Sequence, residues 1–328
     1  ILMATYKGIQ GYSVQKLSDD PTASEAVGQL WYNSTSGAYK IGTEGAGAWA
    51  AGTNLNTARQ QDAGAGASNT NALCFGGQAS TSQMANNETY NGTTWTEVNN
   101  LNAARRLIDG IGTTNTAALA AGGYNDPGYQ LVCEIWDGTC WTEVNNLTSA
   151  KGAGGAAGTS TAGLSFGGVP GSPTATCETW DGTCWTEVND LNDGRLSLGG
   201  AGVTNTAALA FGGLSPGNTA NTEKWDGTCW TEVNNLNTAR HYLASAGTST
   251  AALAAGGNSG SATAVTEKYD GTSWTEVGDL ATARQEFPGA GITNTDSIVF
   301  GGGPPTAGLT ATEEWSDPVY SIKTVTVS

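Results

Sequence analysis

Short apolar runs such as AALAF, each closed by Gly-Gly, alternate along the chain with polar stretches rich in Gly, Thr, Asn and Ser. This pattern predicts many short strands joined by tight turns rather than long helices. The apolar runs lack a clean polar alternation, as expected of strands covered on both faces. Each is preceded by a Gly/Ala-rich segment and followed by a segment of the type TEKWDGTCWTEV. The latter reads as a hairpin whose Asp-Gly supplies the positive φ of its turn. Together these segments make a unit of four strands.

The unit repeats. Gly76-Gly77, Gly122-Gly123, Gly167-Gly168, Gly212-Gly213, Gly256-Gly257 and Gly301-Gly302 recur every 44 to 46 residues. A Glu-x-aromatic series follows each pair: Glu88/Tyr90, Glu134/Trp136, Glu178/Trp180, Glu223/Trp225, Glu267/Tyr269 and Glu313/Trp315. Gly-Gly after a hydrophobic strand, an aromatic about 13 residues on and then a Trp resembles the kelch repeat over about 270 residues, Trp49 to Trp315. The resemblance implies an all-β fold, a six-bladed kelch-like β-propeller with four-stranded blades. Only four residues separate Trp136 from Trp141, a tighter hairpin than is usual in that family.

Outer-strand Trp residues follow Gly-Gly five times, at Trp95, Trp141, Trp185, Trp230 and Trp274, and the sixth precedes the first pair. GAWAAGTNLNTAR around Trp49 aligns with TCWTEVNNLNTAR around Trp230. An N-terminal strand at Trp49 is therefore expected to complete the last blade, which removes two exposed sheet edges. The expected organisation is an N-terminal extension over 1–45, a propeller over 46–316 and a C-terminal strand over 317–328. LWYNSTSGAYKI reads as a small hairpin, and VYSIKTVTV could extend the last blade, compete with the Trp49 strand or pair with that hairpin. GQLWYNSTSGAYKI is similar to segments near the starts of bacteriophage tail-fibre and other virion structural proteins. Met3 reads as the natural start.

Composition narrows the partners. Acids outnumber bases 29 to 13, and a formal charge of −16 would repel a phosphate backbone, so nucleic acid is not an expected partner. No run of about 18 apolar residues is present, so membrane insertion is not expected. Catalytic parts are scarce. His241 is the only histidine and reads as a loop residue beside Tyr242. No catalytic constellation, metal site or cofactor is expected, and the chain is read as a non-enzyme. Arg59, Arg105, Arg195, Arg240 and Arg284, with Lys151 once, recur with the repeat, as do Glu97, Glu143, Glu187, Glu232 and Glu276. A ring of acids could hold a cation at the axis, but residues that repeat with the fold are expected to bridge strands or blades. CEIWDGTCW and CETWDGTCW place Cys133 near Cys140 and Cys177 near Cys184, either as cross-hairpin disulfides or as reduced thiols.

The connections after Gly-Gly differ most between units and in a propeller would emerge on one face. Tyr124, Asn125, Asp126 and Tyr129 form the richest of them, able to stack on a sugar and hydrogen-bond its hydroxyls. The expected role is a structural or interaction module of a virion, a phage tail-fibre or capsid appendage. Its expected partners are other virion proteins, or a host-surface glycan or protein. A lectin-like glycan-binding propeller is the alternative, and an enzyme on the kelch scaffold a weaker one.

Overall fold

The computed structural model describes residues 14–22, 25–303 and 308–325; Met3 and the outer parts of both flanking segments lie outside these. The described residues contain strands and turns but no helix, and so none long and apolar enough to cross a membrane. They divide into two compact units. One holds the described residues up to Gly47 and those from Asp317, and the other spans Ala48–Ser316.

In the larger unit the described residues form six four-stranded antiparallel sheets. The first comprises Ala63–Ser68, Asn71–Phe75, Asn87–Tyr90 and Trp95–Val98. The second comprises Asp109–Thr114, Ala117–Ala121, Cys133–Trp136 and Trp141–Val144. The third comprises Gly155–Thr159, Ala162–Phe166, Cys177–Trp180 and Trp185–Val188. The fourth comprises Gly199–Thr204, Ala207–Phe211, Thr222–Trp225 and Trp230–Val233. The fifth comprises Ala244–Thr248, Ala251–Ala255, Thr266–Tyr269 and Trp274–Glu276. The sixth takes Gly289–Ala290, Asp296–Phe300 and Thr312–Ser316 from the C-terminal side, and Ala48–Ala51 from the N-terminal side. Trp49 lies opposite Trp315 in that last pairing.

Strand character follows position. The apolar second strands are buried at four consecutive residues in every sheet, which explains their missing alternation. The first strands lie beside one another in sequence order, and Gly289–Ala290 lies beside Ala63–Ser68. That approach demands small residues: a Cβ on Gly110 would stand 2.7 Å from the Gly64 carbonyl oxygen, and one on Gly200 2.5 Å from that of Ala156. Outer-strand Trp residues join neighbouring sheets. Trp141 meets Phe75 at 4.9 Å between ring centroids, Trp230 meets Phe166 at 4.9 Å and Trp274 meets Phe211 at 4.8 Å. Each such pair contributes about 1 kcal/mol beyond its buried area.

In the smaller unit Leu30–Asn33 pairs antiparallel with Ala38–Gly45, and Gln15–Leu17 runs parallel to Leu30–Asn33. Asn33 Oδ1 accepts the Thr35 and Ser36 amides, which closes the STSG turn. Of the three expectations for the C-terminal strand, the pairing found is with this hairpin: Val319–Thr324 continues the sheet beside Ala38–Gly45. Trp31 is buried there, and its indole donates to Asp20 Oδ1 at 2.9 Å.

Candidate functional site

The repeated charges are scaffold. Arg59 pairs with Glu88, Arg105 with Glu134 at 2.7 Å, Arg195 with Glu223 at 2.9 Å, Arg240 with Glu267 and Arg284 with Glu313 at 2.5 Å, all buried. Lys151 stands 4.0 Å from Glu178. The partner acid is thus the Glu of Glu-x-aromatic. Glu97, Glu143, Glu187, Glu232 and Glu276 face solvent on the outer strands, which corrects the expectation that they bridge. Each buried guanidinium also donates to backbone carbonyls, as Arg105 does to Gly122 and Val132. The second carboxylate oxygen then fixes the incoming loop: Glu134 Oε2 accepts both the backbone amide and the Nδ2 of Asn102. Such a pair holds geometry because the carboxylate and the terminal guanidinium nitrogens are tied to one another and to backbone, although Nε of Arg105, Arg195, Arg240 and Arg284 is buried without a partner.

The cysteines divide into two structural classes. Cys133 stands opposite Val144 and Cys177 opposite Val188, one full strand away from Cys140 and Cys184, and all six thiols are free. The cross-hairpin disulfides are therefore corrected: register carries the sulfurs apart. Cys133 and Cys177 occupy the place of Thr222, Thr266 and Thr312. There the indole of an adjacent sheet donates to a threonine hydroxyl, Trp274 to Thr222, Trp49 to Thr266 and Trp95 to Thr312, whereas the Trp185 indole nitrogen is buried without a partner. Burial pushes the Cys133 thiol up to about 11 and the Cys177 thiol up to about 12, which leaves both inert at neutral pH. Cys140, Cys184 and Cys229 sit exposed in the Asp-Gly turns, their amides donating to Asp137, Asp181 and Asp226.

Against this scaffold the varying positions converge. Two residues past each repeat cation, the backbone turns left-handed in a non-glycine residue: Gln61 (φ 55°), Leu107 (55°), Ala153 (57°), Ser197 (53°), Tyr242 (54°) and Glu286 (61°). The amide of each donates to the carbonyl of the previous one, Leu107 to Gln61 (2.9 Å), Ala153 to Leu107 (2.9 Å), Ser197 to Ala153 (2.6 Å), Tyr242 to Ser197 (2.8 Å) and Glu286 to Tyr242 (3.0 Å). Gln61 closes the circle by donating to Glu286 at 2.8 Å. Each αL residue costs on the order of 1 kcal/mol, and the six hydrogen bonds offset that strain.

The residue just before each ring member pairs with the residue just after a Gly-Gly: Gln60 with Gln78, Arg106 with Tyr124, Gly152 with Val169, Leu196 with Leu214, His241 with Asn258 and Gln285 with Gly303. The variable loops and the ring therefore share one face. The ring side chains surround a cavity of about 100 Å³, whose lining overlaps that of a second cavity, about 180 Å³, between the Gly/Ala first strands.

The four sequence-proposed binding residues belong to this face. Tyr124–Asn125 and Gly128–Tyr129 form a two-stranded hairpin with the tyrosine rings 5.2 Å apart, edge to face. Asn125 is half-buried and Asp126 exposed; Asp126 accepts from Gln83 Nε2 at 2.9 Å, and that hydrogen bond, with one from Tyr124, holds its carboxyl below the usual range. Arg106 lies over the Tyr124 ring, 4.9 Å from the centroid, and donates to Gln61 Oε1 at 2.5 Å, while Gln61 Nε2 donates to Glu286 Oε2 at 3.0 Å. His241 is half-buried with Nδ1 2.7 Å from Asn218 Oδ1, and burial lowers its pKa.

Arg106 and the ring residues are candidate positions that the Gly-Gly loops alone do not reveal. Their signal is a dipeptide after each repeat cation, QQ, RL, GA, LS, HY and QE, that varies in size, polarity and charge between the repeated cation and the Gly/Ala-rich strand that follows. Among the described residues no group of three or more His, Cys, Asp or Glu is placed to hold a metal ion. Compared with known proteins, the chain matches no protein-family model and no curated protein.

Proposed function

We propose that Ala48–Ser316 is a six-bladed, kelch-like β-propeller and that the chain is a non-catalytic binding module, displaying its variable face from a virion appendage such as a phage tail fibre. The observation that carries the binding role is convergence. Twelve ring and pre-ring positions and the Gly-Gly loops vary together on one face, while the Arg–Glu pairs, Trp contacts and Asp-Gly turns behind them repeat. Residues required by the fold repeat with it, so a face that departs from the repeat is free to serve recognition. The circle of ring hydrogen bonds and the cyclic neighbourhood of the first strands support the six-bladed reading. The virion setting rests on the resemblance of GQLWYNSTSGAYKI to virion structural proteins.

Within this reading a host-surface glycan is the favoured ligand, since the Tyr124–Tyr129 hairpin offers aromatic faces beside Arg106, Asn125 and Asp126. The test is binding of the immobilised chain to a glycan array and to host-envelope preparations, with Arg106→Ala/Tyr124→Ala/Tyr129→Ala and Glu97→Ala/Glu143→Ala as paired variants. We expect the first variant to lose at least about tenfold in affinity, a loss of about 1.4 kcal/mol, and the second to bind as the parent does. Equal behaviour of the two variants, or no binding by the parent chain, contradicts the proposal.

A further inference from the structure

The six ring residues are not a uniform collar. In circular order Leu107 and Ala153 are apolar, Ser197 and Tyr242 carry hydroxyls, and Glu286 and Gln61 carry a carboxyl and an amide. The cavity they surround is thus apolar on one arc and rich in hydrogen-bonding groups on the other. The Glu286 carboxylate is balanced by the Arg106 guanidinium, to which Gln61 bridges it, and Asp62 is the other acid in the lining. Ser197 Oγ interacts with the Tyr242 phenol but forms no hydrogen bond of normal geometry, although Ser197 is only 6% exposed. A buried hydroxyl in that state costs free energy until a ligand group engages it.

We propose that this cavity receives a neutral pyranose bearing an acetamido group, the terminal residue of a glycan; this deepens the binding-module reading and rests on it. A charged ligand fits less well on two counts: the balanced cluster has no free counter-charge to offer, and a chain of net charge −16 repels anions. A ligand with one methyl-bearing and one polar flank matches the two arcs. The acetamido methyl lies against Leu107 and Ala153, its carbonyl accepts from Ser197 Oγ, and ring hydroxyls donate to the Glu286 carboxylate. Tyr242, half-buried beside His241 with 4.7 Å between ring centroids, offers a face for the pyranose C–H surface. The Tyr124–Tyr129 hairpin, joined to the ring through Arg106, is placed to contact the next sugar of the chain.

The test titrates the whole chain with N-acetylglucosamine and N-acetylgalactosamine, with glucose and galactose as comparators, by calorimetry and ligand-observed NMR. Saturable binding of at least one acetamido sugar is expected, at least about tenfold tighter than its hydroxyl counterpart, because the site's polar groups stay unpaired when the acetamido group is missing. Ala153→Leu fills the apolar arc and is expected to abolish binding without changing the melting temperature. Leucine already stands at the equivalent ring position, Leu107, with the same backbone conformation. Glu286→Gln is expected to weaken binding about tenfold while leaving the ring backbone unaltered. Absence of saturable binding by both acetamido sugars, or affinity indifferent to both substitutions, overturns the proposal. If array binding is lost in the Tyr124/Tyr129 variant under those outcomes, the binding-module reading stands and only this ligand falls.

Discussion

Two buried aspartates set the response of the molecule to pH. Asp62 accepts from the Cys74 thiol at 3.1 Å, and burial, offset in part by Arg59, pushes its carboxyl up to about 7. Asp109 accepts from Ser165 Oγ at 2.6 Å and from the Gly154 amide at 3.0 Å, and burial pushes it up to about 6. Both exceed the unfolded value of about 4, so between about pH 4 and pH 7 the native state holds protons that the unfolded chain has released. Stability therefore falls as pH rises through that window, by on the order of a few kcal/mol. Below it, the exposed turn aspartates Asp137, Asp181, Asp226 and Asp270, lowered by backbone amides, lose their advantage on protonation. Urea unfolding is expected to show maximal stability near about pH 4, and Asp62→Asn to shrink the difference between pH 4 and pH 8. An undiminished difference would assign the pH dependence to other groups. The sequence makes these aspartates hard to see. Asp62 stands where Ile108, Leu198, Leu243 and Phe287 stand in other repeats, and only folding shows that the position is buried.

At the scale of strands and turns, the loop leading into each sheet is held by one carboxylate. Asn56, Asn102, Asn192 and Asn237 each donate through backbone and side chain to Oε2 of a repeat Glu, and through the side chain to a Trp carbonyl. Ala281 fills this place in the sixth sheet and donates only its backbone amide, to Glu313. Ala281→Asn is expected to stabilise the chain by about 1 kcal/mol, since the new side chain meets preformed acceptors. Thermal unfolding measures it, and an unchanged or lowered melting temperature would show that Glu313 and Trp49 are not held as their counterparts are. Strand existence and order were legible because Gly-Gly and Glu-x-aromatic mark both ends of the buried strands. The pairing of Trp49 with Trp315 was legible from the same repeat. Two things were not legible. One is the Arg partner, because two Glu series recur in register, Glu88 opposite Glu97, and only the fold says which is buried. The other is cysteine geometry, because the seven-residue spacing of Cys133 and Cys140 spans a turn whose register sets them apart.

Over the larger unit as a whole, a repeated scaffold meets a single departing face. The scaffold is built from contacts that each sheet makes with its neighbours. The departing face is built on a circle of hydrogen bonds to which every sheet contributes one donor and one acceptor. Of the candidate site, the Tyr124–Tyr129 hairpin was legible as an odd loop. The ring was not, because its members are adjacent only after closure brings residues 61 and 286 together. Closure is thus the property on which the site depends. Native-state hydrogen exchange measures it directly at the amides of Gln61, Leu107, Ala153, Ser197, Tyr242 and Glu286. The account predicts that all six exchange slowly and together, through one cooperative opening that urea shifts equally for each. Fast exchange at Gln61 and Glu286 with protection at the other four would mean that the circle is open at the junction of the first and sixth sheets, and would contradict it.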